Sequence, residues 1–434
     1  MKKITVVGAG YVGLVTAICF ADLGNDVVCI EKDDSKLNQL SRGILTFYEP
    51  GIPELLQKNL GTGKVRFTNS MSEGVAFGDV IFLCVGTPER GDGSADLSQI
   101  ENASREIASS ITSYRLIVEK STVPVNTHQR VKRTIQRYAG HDVPCEVASN
   151  PEFLREGSAL EDFMHPDRII IGVESQRGKA LFQEIYQDFS CPIIYTDPAT
   201  AELVKHASNS FLAMKISYIN MIADLCEKVG ADISIVADGV GFDKRIGRSF
   251  LNPGIGWGGS CFGKDVKAFI EIAEEYGVHF GLLQETLKQN YERRKSFVRK
   301  IEDILWVNND KVIAIWGLSF KPDTDDIRDA PSIEIVRELL KNGAQLQLFD
   351  PVAMDNFRIL FPESDKVHYL GDKYDACQGA DTLVILTEWK EFQSIDWPRL
   401  KKSLNLPVIV DGRNLFKPEY VRGEGFEYYS VGRK

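Results

Sequence analysis

The chain has no Cys-x-x-Cys pair, no apolar run long enough to span a bilayer, and no excess of basic residues. Each absence excludes a class of protein. The 8 cysteines (Cys19, Cys29, Cys84, Cys145, Cys191, Cys226, Cys261 and Cys377) are scattered over 434 residues, which is neither a disulfide framework nor a zinc site. No metal centre is expected. Most of them sit in apolar runs such as Val27-Val28-Cys29-Ile30 and read as small buried hydrophobes. Reduced thiols imply the cytoplasm. A membrane helix needs roughly 20 apolar residues in a row, so no membrane association is expected. Met1-Lys2-Lys3 leads straight into a strand, and no secretory leader is expected. With 51 Lys and Arg against 61 Asp and Glu, the formal charge is -10, which argues against a broad nucleic-acid footprint. Positive charge for holding a small anion must therefore be gathered locally.

What is present is the composition of a globular protein: 43% hydrophobic and 26% charged. At roughly 100–200 residues per domain the length allows two to four domains. Ile4 to Val7 is a β-rich run, Gly8-Ala9-Gly10-Tyr11-Val12-Gly13 a turn, Leu14 to Leu23 a helix and Val27 to Ile30 a second strand. Further strands are expected at Asp79 to Val85, Arg115 to Val118, Glu146 to Ala148 and Arg168 to Val173, with helices between them. Such alternation implies a parallel sheet covered on both faces. Asp197 to Val229 reads as one long helix, followed by a turn-rich segment, Gly239 to Gly263, and by helices from about Asp265 and Gln284. A second α/β block opens with strands Val312 to Trp316 and Gln345 to Phe349 around a helix from Pro331, and continues through Thr382 to Leu386 and Val408 to Val410. The expected fold class is therefore α/β. Two Rossmann-like doubly wound parallel-sheet domains, 1–196 and 306–434, are joined by a long central helix and helical connector, 197–305.

Glycine triplets arise by chance, but Gly8-x-Gly10-x-x-Gly13 lies between a strand and a helix. That is the context in which glycines admit a pyrophosphate and the helix N-terminus holds it. Glu31 ends the next strand, where an acid binds ribose hydroxyls and repels a 2′-phosphate, so NAD is expected over NADP. Lys32 and Lys36 weaken that preference. In Pro253 to Asp265 four glycines precede Cys261, and Lys264 and Asp265 follow it at a helix start. Helix N-termini and nearby cations stabilise a thiolate, which makes Cys261 a candidate nucleophile; the alternative is a structural loop cysteine. Lys205 and Asn209, four apart, share a helix face, with His206 pointing elsewhere; a solvated helix lysine is the alternative for Lys205. Glu152 and Glu156 are also four apart, and could equally be an ordinary charged helix start. Ser121-Thr122-Val123-Pro124 follows a strand at the sheet's ligand-binding edge.

Taken in order, Gly8 to Gly13, Ser121 to Pro124, Asn150 to Gly157, Gly258 to Asp265, Gly317 to Pro322 and Asp411-Gly412-Arg413 resemble the UDP-glucose/GDP-mannose dehydrogenase family over essentially the whole chain. Asp243 to Gly247 and Gly-Gly-Ser-Cys-Phe look most like the members that act on UDP-glucose. The resemblance implies oxidation of the sugar's C6 alcohol to a carboxylate with two NAD, through a thiohemiacetal and a thioester on Cys261. It gives Lys205 and Asp265 the oxyanions and the water, Thr122 that water, Glu152 the base and Asn209 the sugar. It places Gly8, Gly10, Tyr11, Val12, Gly13, Glu31, Lys36, Thr87, Thr122, Glu156, Lys264 and Arg328 at NAD. Glu152, Phe153, Leu154, Arg155, Lys205, Asn209, Phe250, Leu251, Asn252, Gly254, Gly258, Lys321 and Arg413 fall to the UDP-sugar, and Arg245 to the sugar of a partner subunit. A homodimer or higher homo-oligomer built about the long helix is implied. GDP-mannose and UDP-N-acetylhexosamines are the alternative substrates. Three positions depart from the family pattern. Glu31 stands where aspartate is commoner, Gly263 where proline is frequent, and Asn126 where glycine is frequent.

Overall fold

The apolar run Val80-Ile81-Phe82-Leu83 is fully buried on both faces, as a central strand between helical layers must be. It belongs to an eight-stranded sheet in the computed structural model of the chain, which describes residues 1–140, 143–307 and 309–434. The strands are β1 (Lys3–Val7), β2 (Asp26–Ile30), β3 (Val65–Thr68), β4 (Val80–Leu83), β5 (Arg115–Glu119), β6 (Cys145–Ser149), β7 (Ile169–Gly172) and β8 (Ile193–Thr196). Their order is β3-β2-β1-β4-β5-β6-β7-β8. All pairs are parallel except β6 with β7, which meet antiparallel at Ser149 and Gly172. Side chains alternate across the sheet. Val80 and Phe82 therefore enter one core with Leu14, Ile18 and Phe20, while Ile81 and Leu83 enter the other with Ile100, Ile107 and Ile135.

A second sheet is entirely parallel: β9 (Val312–Trp316), β10 (Gln345–Phe349), β11 (Val367–Tyr369), β12 (Thr382–Ile385), β13 (Val408–Asp411) and β14 (Glu427–Ser430), in the order β11-β10-β9-β12-β13-β14. Both sheets thus contain the 3-2-1-4-5-6 order of a Rossmann domain, with a topological switch between β1 and β4 and between β9 and β12.

The chain forms two compact units, Met1–Ser208 with Lys267–Val278, and Asn209–Val266 with His279–Lys434. The long helix is continuous from Pro198 to Val229, with proline tolerated in its first turn. A helix at Ile233–Gly241, capped by Asp232, was not evident in the sequence. The helix after Cys261 starts at Phe262, three residues before the expected Asp265. Among the described residues no helix is long and apolar enough to cross a membrane.

Candidate active site residues

In the first unit the turn after β1 crowds two of its three glycines and leaves the third open. Gly8 has φ +97, and a Cβ on Gly13 would lie 1.9 Å from the Gly8 carbonyl oxygen. A Cβ on Gly10 would meet nothing within 4 Å. Gly8 and Gly13 are therefore needed by the chain itself, whereas bare space at Gly10 leaves room for a phosphate at the head of the helix Tyr11–Asp22. Val12 is partly buried in that first turn. Glu31 directly follows β2 and accepts from the Asp33 N–H at 2.9 Å. Lys36 is exposed in the next helix, Asp34–Ser41. These residues fit NAD. Thr87, after β4, donates to the Thr122 carbonyl at 2.9 Å and joins the two loops at the sheet's carboxyl edge.

Asn150 to Arg155 has no regular structure, so Glu152 and Glu156 do not sit on a helix start. Glu152 is buried, and its Oε1 accepts from Lys205 Nζ at 3.0 Å. The solvated-lysine alternative for Lys205 is excluded by its 3% exposure. The Lys205 ammonium also lies 5.3 Å from the centroid of the Phe153 ring. Leu154 donates its N–H to Glu152, and Arg155 is held by Asp162. Glu49, missed in the sequence, organises this loop. It accepts from Tyr11 Oη at 2.7 Å, Gly157 N–H at 2.6 Å and Ala159 N–H at 2.8 Å, and it is only 2% exposed. An acid in the turn-forming Glu49-Pro50-Gly51 was the available signal.

In the second unit Cys261 is exposed and stands immediately before the helix Phe262–Glu275, whose first turn closes from Asp265 N–H to the Cys261 carbonyl at 2.8 Å. Asp265 is 1% exposed, accepts from Asn209 Nδ2 at 2.7 Å and pairs with Lys264 at 2.9 Å. The structure thus gathers Asn209, Lys264 and Asp265 one turn into the helix that Cys261 heads. The glycine-rich loop before it is fixed by groups that sequence reasoning also missed. Asn290, Arg293 and Arg294 are buried on the helix Gly281–Leu305. Arg293 donates to the Gly254 carbonyl at 2.7 Å, Arg294 to the Trp257 carbonyl at 2.7 Å, and Asn290 accepts from Trp257 N–H at 2.8 Å. Asn220 on the long helix takes the Gly254 N–H at 2.8 Å. A Cβ on Gly258 would strike the Asp329 carbonyl oxygen at 2.3 Å.

Phe250 adopts φ 64, Leu251 is buried, and exposed Asn252 accepts from Arg248 at 2.7 Å. Arg413 ties three segments together, donating to the carbonyls of Leu386 at 2.7 Å, Phe320 at 3.2 Å and Gly256 at 3.3 Å. Buried Asp411 shapes its turn by accepting the N–H groups of Arg413 and Leu415, and burial pushes that carboxyl's pKa up. Arg413 also lines a cavity of about 320 Å³ with Arg248, Asn252 and Glu388. Lys321 lies beside the Phe320 ring. Arg328 and Arg245 are exposed and pair with Asp326 and Asp243.

The second Rossmann sheet lacks a dinucleotide turn. Its acid after β10, Asp350, is fully buried and accepts from the N–H groups of Leu318, Ser319, Val352 and Ala353 and from Trp389 Nε1. The acid at the position equivalent to Glu31 of the first unit here folds the turn.

One Rossmann domain with a glycine turn suited to a dinucleotide, and a second without it, define a dinucleotide-binding protein that carries a further nucleotide-type fold. Comparison with known proteins supplies the rest. The models of the UDP-glucose/GDP-mannose dehydrogenase family match in three parts: the NAD binding domain at 2–190, the central domain at 199–292 and the UDP binding domain at 314–418. The UDP-glucose 6-dehydrogenase of Rhizobium meliloti (strain 1021) is 46% identical, with 99% of each chain covered. UDP-glucose 6-dehydrogenase TuaD of Bacillus subtilis (strain 168) is 43% identical, with 100% of this chain and 94% of that protein covered. The solved structure of a UDP-glucose dehydrogenase from the hyperthermophilic archaeon Pyrobaculum islandicum matches with a TM-score of 0.93 at 39% identity, covering 100% of this chain and 98% of that one. The chain belongs to the UDP-glucose/GDP-mannose dehydrogenase family, and its cofactor is NAD.

Proposed function

We propose that the chain oxidises UDP-glucose at C6 to UDP-glucuronate, passing through a thiohemiacetal and a thioester on Cys261. Full-length identity of 46% to a UDP-glucose 6-dehydrogenase supports the substrate. The observation that carries the mechanism is the exposure of Cys261 at a helix N-terminus, where a thiolate is stabilised. NAD, held by the Gly8–Gly13 turn and Glu31, supplies the hydride acceptor for both oxidations. Once C6 is an aldehyde, the Cys261 thiolate adds to it and the new oxyanion takes up a proton. Removal of the second hydride leaves the thioester, and water displaces the thiolate to give the carboxylate. Each hydride leaves with a proton from the oxygen on C6, and hydrolysis releases a third, so one sugar, two NAD+ and one water yield one carboxylate, two NADH and three protons. An oxygen nucleophile would leave an ester, which hydrolyses less readily.

Lys205 and Asp265 stabilise the oxyanions and place the water, Thr122 binds that water, Glu152 removes its proton, and Asn209 orients the sugar. Glu156, Lys264 and Arg328 are assigned to NAD. Phe153, Leu154, Arg155, Phe250 to Asn252, Gly254, Gly258, Lys321 and Arg413 are assigned to the UDP-sugar. Segments 1–196, 197–305 and 306–434 act as cofactor, connecting and UDP-sugar domains. The chain works in the cytoplasm, a reading supported by 8 scattered cysteines without the spacing of a disulfide framework.

A homodimer is supported by the long helix, which exposes Phe211, Tyr218, Met221, Leu225 and Val229 along its length. Arg245, with 89% of its side chain exposed, is then available to a partner's sugar. Sedimentation of wild type against L225E tests the dimer. For the reaction, the protein is given NAD with UDP-glucose, GDP-mannose and two UDP-N-acetylhexosamines. Two NADH per UDP-glucose, with UDP-glucuronate formed, are expected. One NADH per sugar with free aldehyde overturns the thioester route, and turnover only of another sugar overturns the substrate.

A further inference from the structure

The long helix presents a second buried face beside Lys205. Glu202 and His206, one turn apart on it, are 2% and 1% exposed. Both reach the loop that carries Thr122. His206 Nε2 is 2.8 Å from the Val123 carbonyl oxygen, which can only accept, so the ring nitrogen donates. Glu202 Oε2 accepts the Asn126 N–H at 2.6 Å, and its Oε1 accepts the His128 N–H at 3.1 Å and His128 Nδ1 at 3.0 Å.

These bonds answer a local deficit. The helix Thr127–Tyr138 begins after Asn126, whose φ of 69 is left-handed and whose side chain makes no capping bond. Its first N–H groups need acceptors, and a carboxylate suits the positive end of the helix. Glu202 supplies that carboxylate from another element. Glu119, the last residue of β5, is fully buried beside it. Burial and the Glu202 charge push the Glu119 carboxyl well above the usual range, which favours its protonated form beside the carboxylate that the donors face. Thr87 fixes the same loop from its other side, at the Thr122 carbonyl.

We propose that Glu202 and His206 are positioning residues for thioester hydrolysis: they clamp the backbone on either side of Pro124 and so set the Thr122 hydroxyl that binds the attacking water. Lys205, between them in sequence, holds Glu152 from the same helical turn. One rigid element therefore places both the water-binding hydroxyl and the base. The inference rests on the thioester reading and extends it to groups that touch neither substrate nor cofactor.

The test uses E202Q, H206F, H206Q and the control E152Q in the full-length protein. Glutamine at 202 sets an amide N–H against a donor. Phenylalanine at 206 keeps the ring packed on Phe269, 5.6 Å away, but cannot donate, whereas glutamine restores a donor near the Nε2 position. Activity is measured per folded protein, and acid-quenched samples are weighed for an adduct on Cys261. E202Q and H206F are expected to lose about 10- to 100-fold in kcat with the KM for UDP-glucose little changed, the range that a small misplacement produces. They should accumulate the thioester, and H206Q should recover most of the rate. If E152Q accumulates the adduct while E202Q and H206F do not, the clamp is wrong and the thioester route stands. If E152Q accumulates none, the route falls and the clamp with it. Should E202Q fail to fold, H206F against H206Q decides.

Discussion

Lys205 Nζ lies 3.0 Å from Glu152 Oε1, with the two side chains only 4% and 6% exposed. Two opposite charges removed from water attract each other strongly, and burying either one without the other is costly.

Removing one partner should therefore cost more than removing both. K205M alone and E152Q alone are each expected to destabilise the protein, K205M by about 3–5 kcal/mol because it strands a buried carboxylate. The double variant K205M/E152Q should recover part of that loss. Urea unfolding of the three variants and wild type checks the order. Turnover should fall at least 100-fold in all three, since each removes the proposed oxyanion partner, the proposed base or both.

Cys261 should be the first thiol to react. Burial raises the pKa of the Cys19, Cys29, Cys84, Cys145, Cys191, Cys226 and Cys377 thiols, that of Cys84 up to about 12. At about pH 8 the thiolate fraction of those groups is small. Limited iodoacetamide should label Cys261 alone, with activity falling in proportion to the label. Peptide mass mapping reads the site. Equal labelling of Cys145 or Cys191 at that stage would contradict the assignment.

The ten strands legible in the sequence are those with an apolar run covered by helices on both faces. The four that escaped it, β3, β8, β11 and β14, are the outer strands of the two sheets. They are short and half-exposed: Val65-Arg66-Phe67-Thr68 interrupts its apolar pattern with Arg66, and Ile194 in β8 is 50% exposed. The exposed cysteine ahead of its helix and the glycine turn after β1 were legible because glycine and cysteine spacing is local. Glu49, Glu202, Asn290, Arg293 and Arg294 were not, because each acts on backbone distant in sequence. The frequent glycine at position 126 also gains a physical reason: the residue there has φ 69, and asparagine is the side chain that tolerates it best.

Within the six residues of the Gly8–Gly13 turn, Gly8 and Gly13 are crowded by the chain and Gly10 is not. G10A adds a methyl to open space, so the protein should melt close to wild type yet lose at least 10-fold in NAD affinity by titration calorimetry. G13A places a methyl 1.9 Å from the Gly8 carbonyl oxygen and should lower the melting temperature sharply, or prevent folding altogether. The opposite pattern would mean that no phosphate approaches Gly10.

Glu119 should leave a signature in the pH dependence of stability. Burial and Glu202 push its carboxyl well above the usual range in the folded chain, but it ionises normally, at about pH 4.3, once unfolded. Above that pH the unfolded state binds fewer protons than the folded one, so this group's contribution falls as pH rises, by up to about 1.4 kcal/mol per unit until its folded pKa is reached. E119Q keeps the shape and cannot ionise, which removes the slope. Relative to wild type, E119Q is therefore expected to gain stability steadily between about pH 5 and 8. Urea unfolding at intervals across that window measures the difference. A constant difference would show that Glu119 ionises in the folded protein as readily as in the unfolded one.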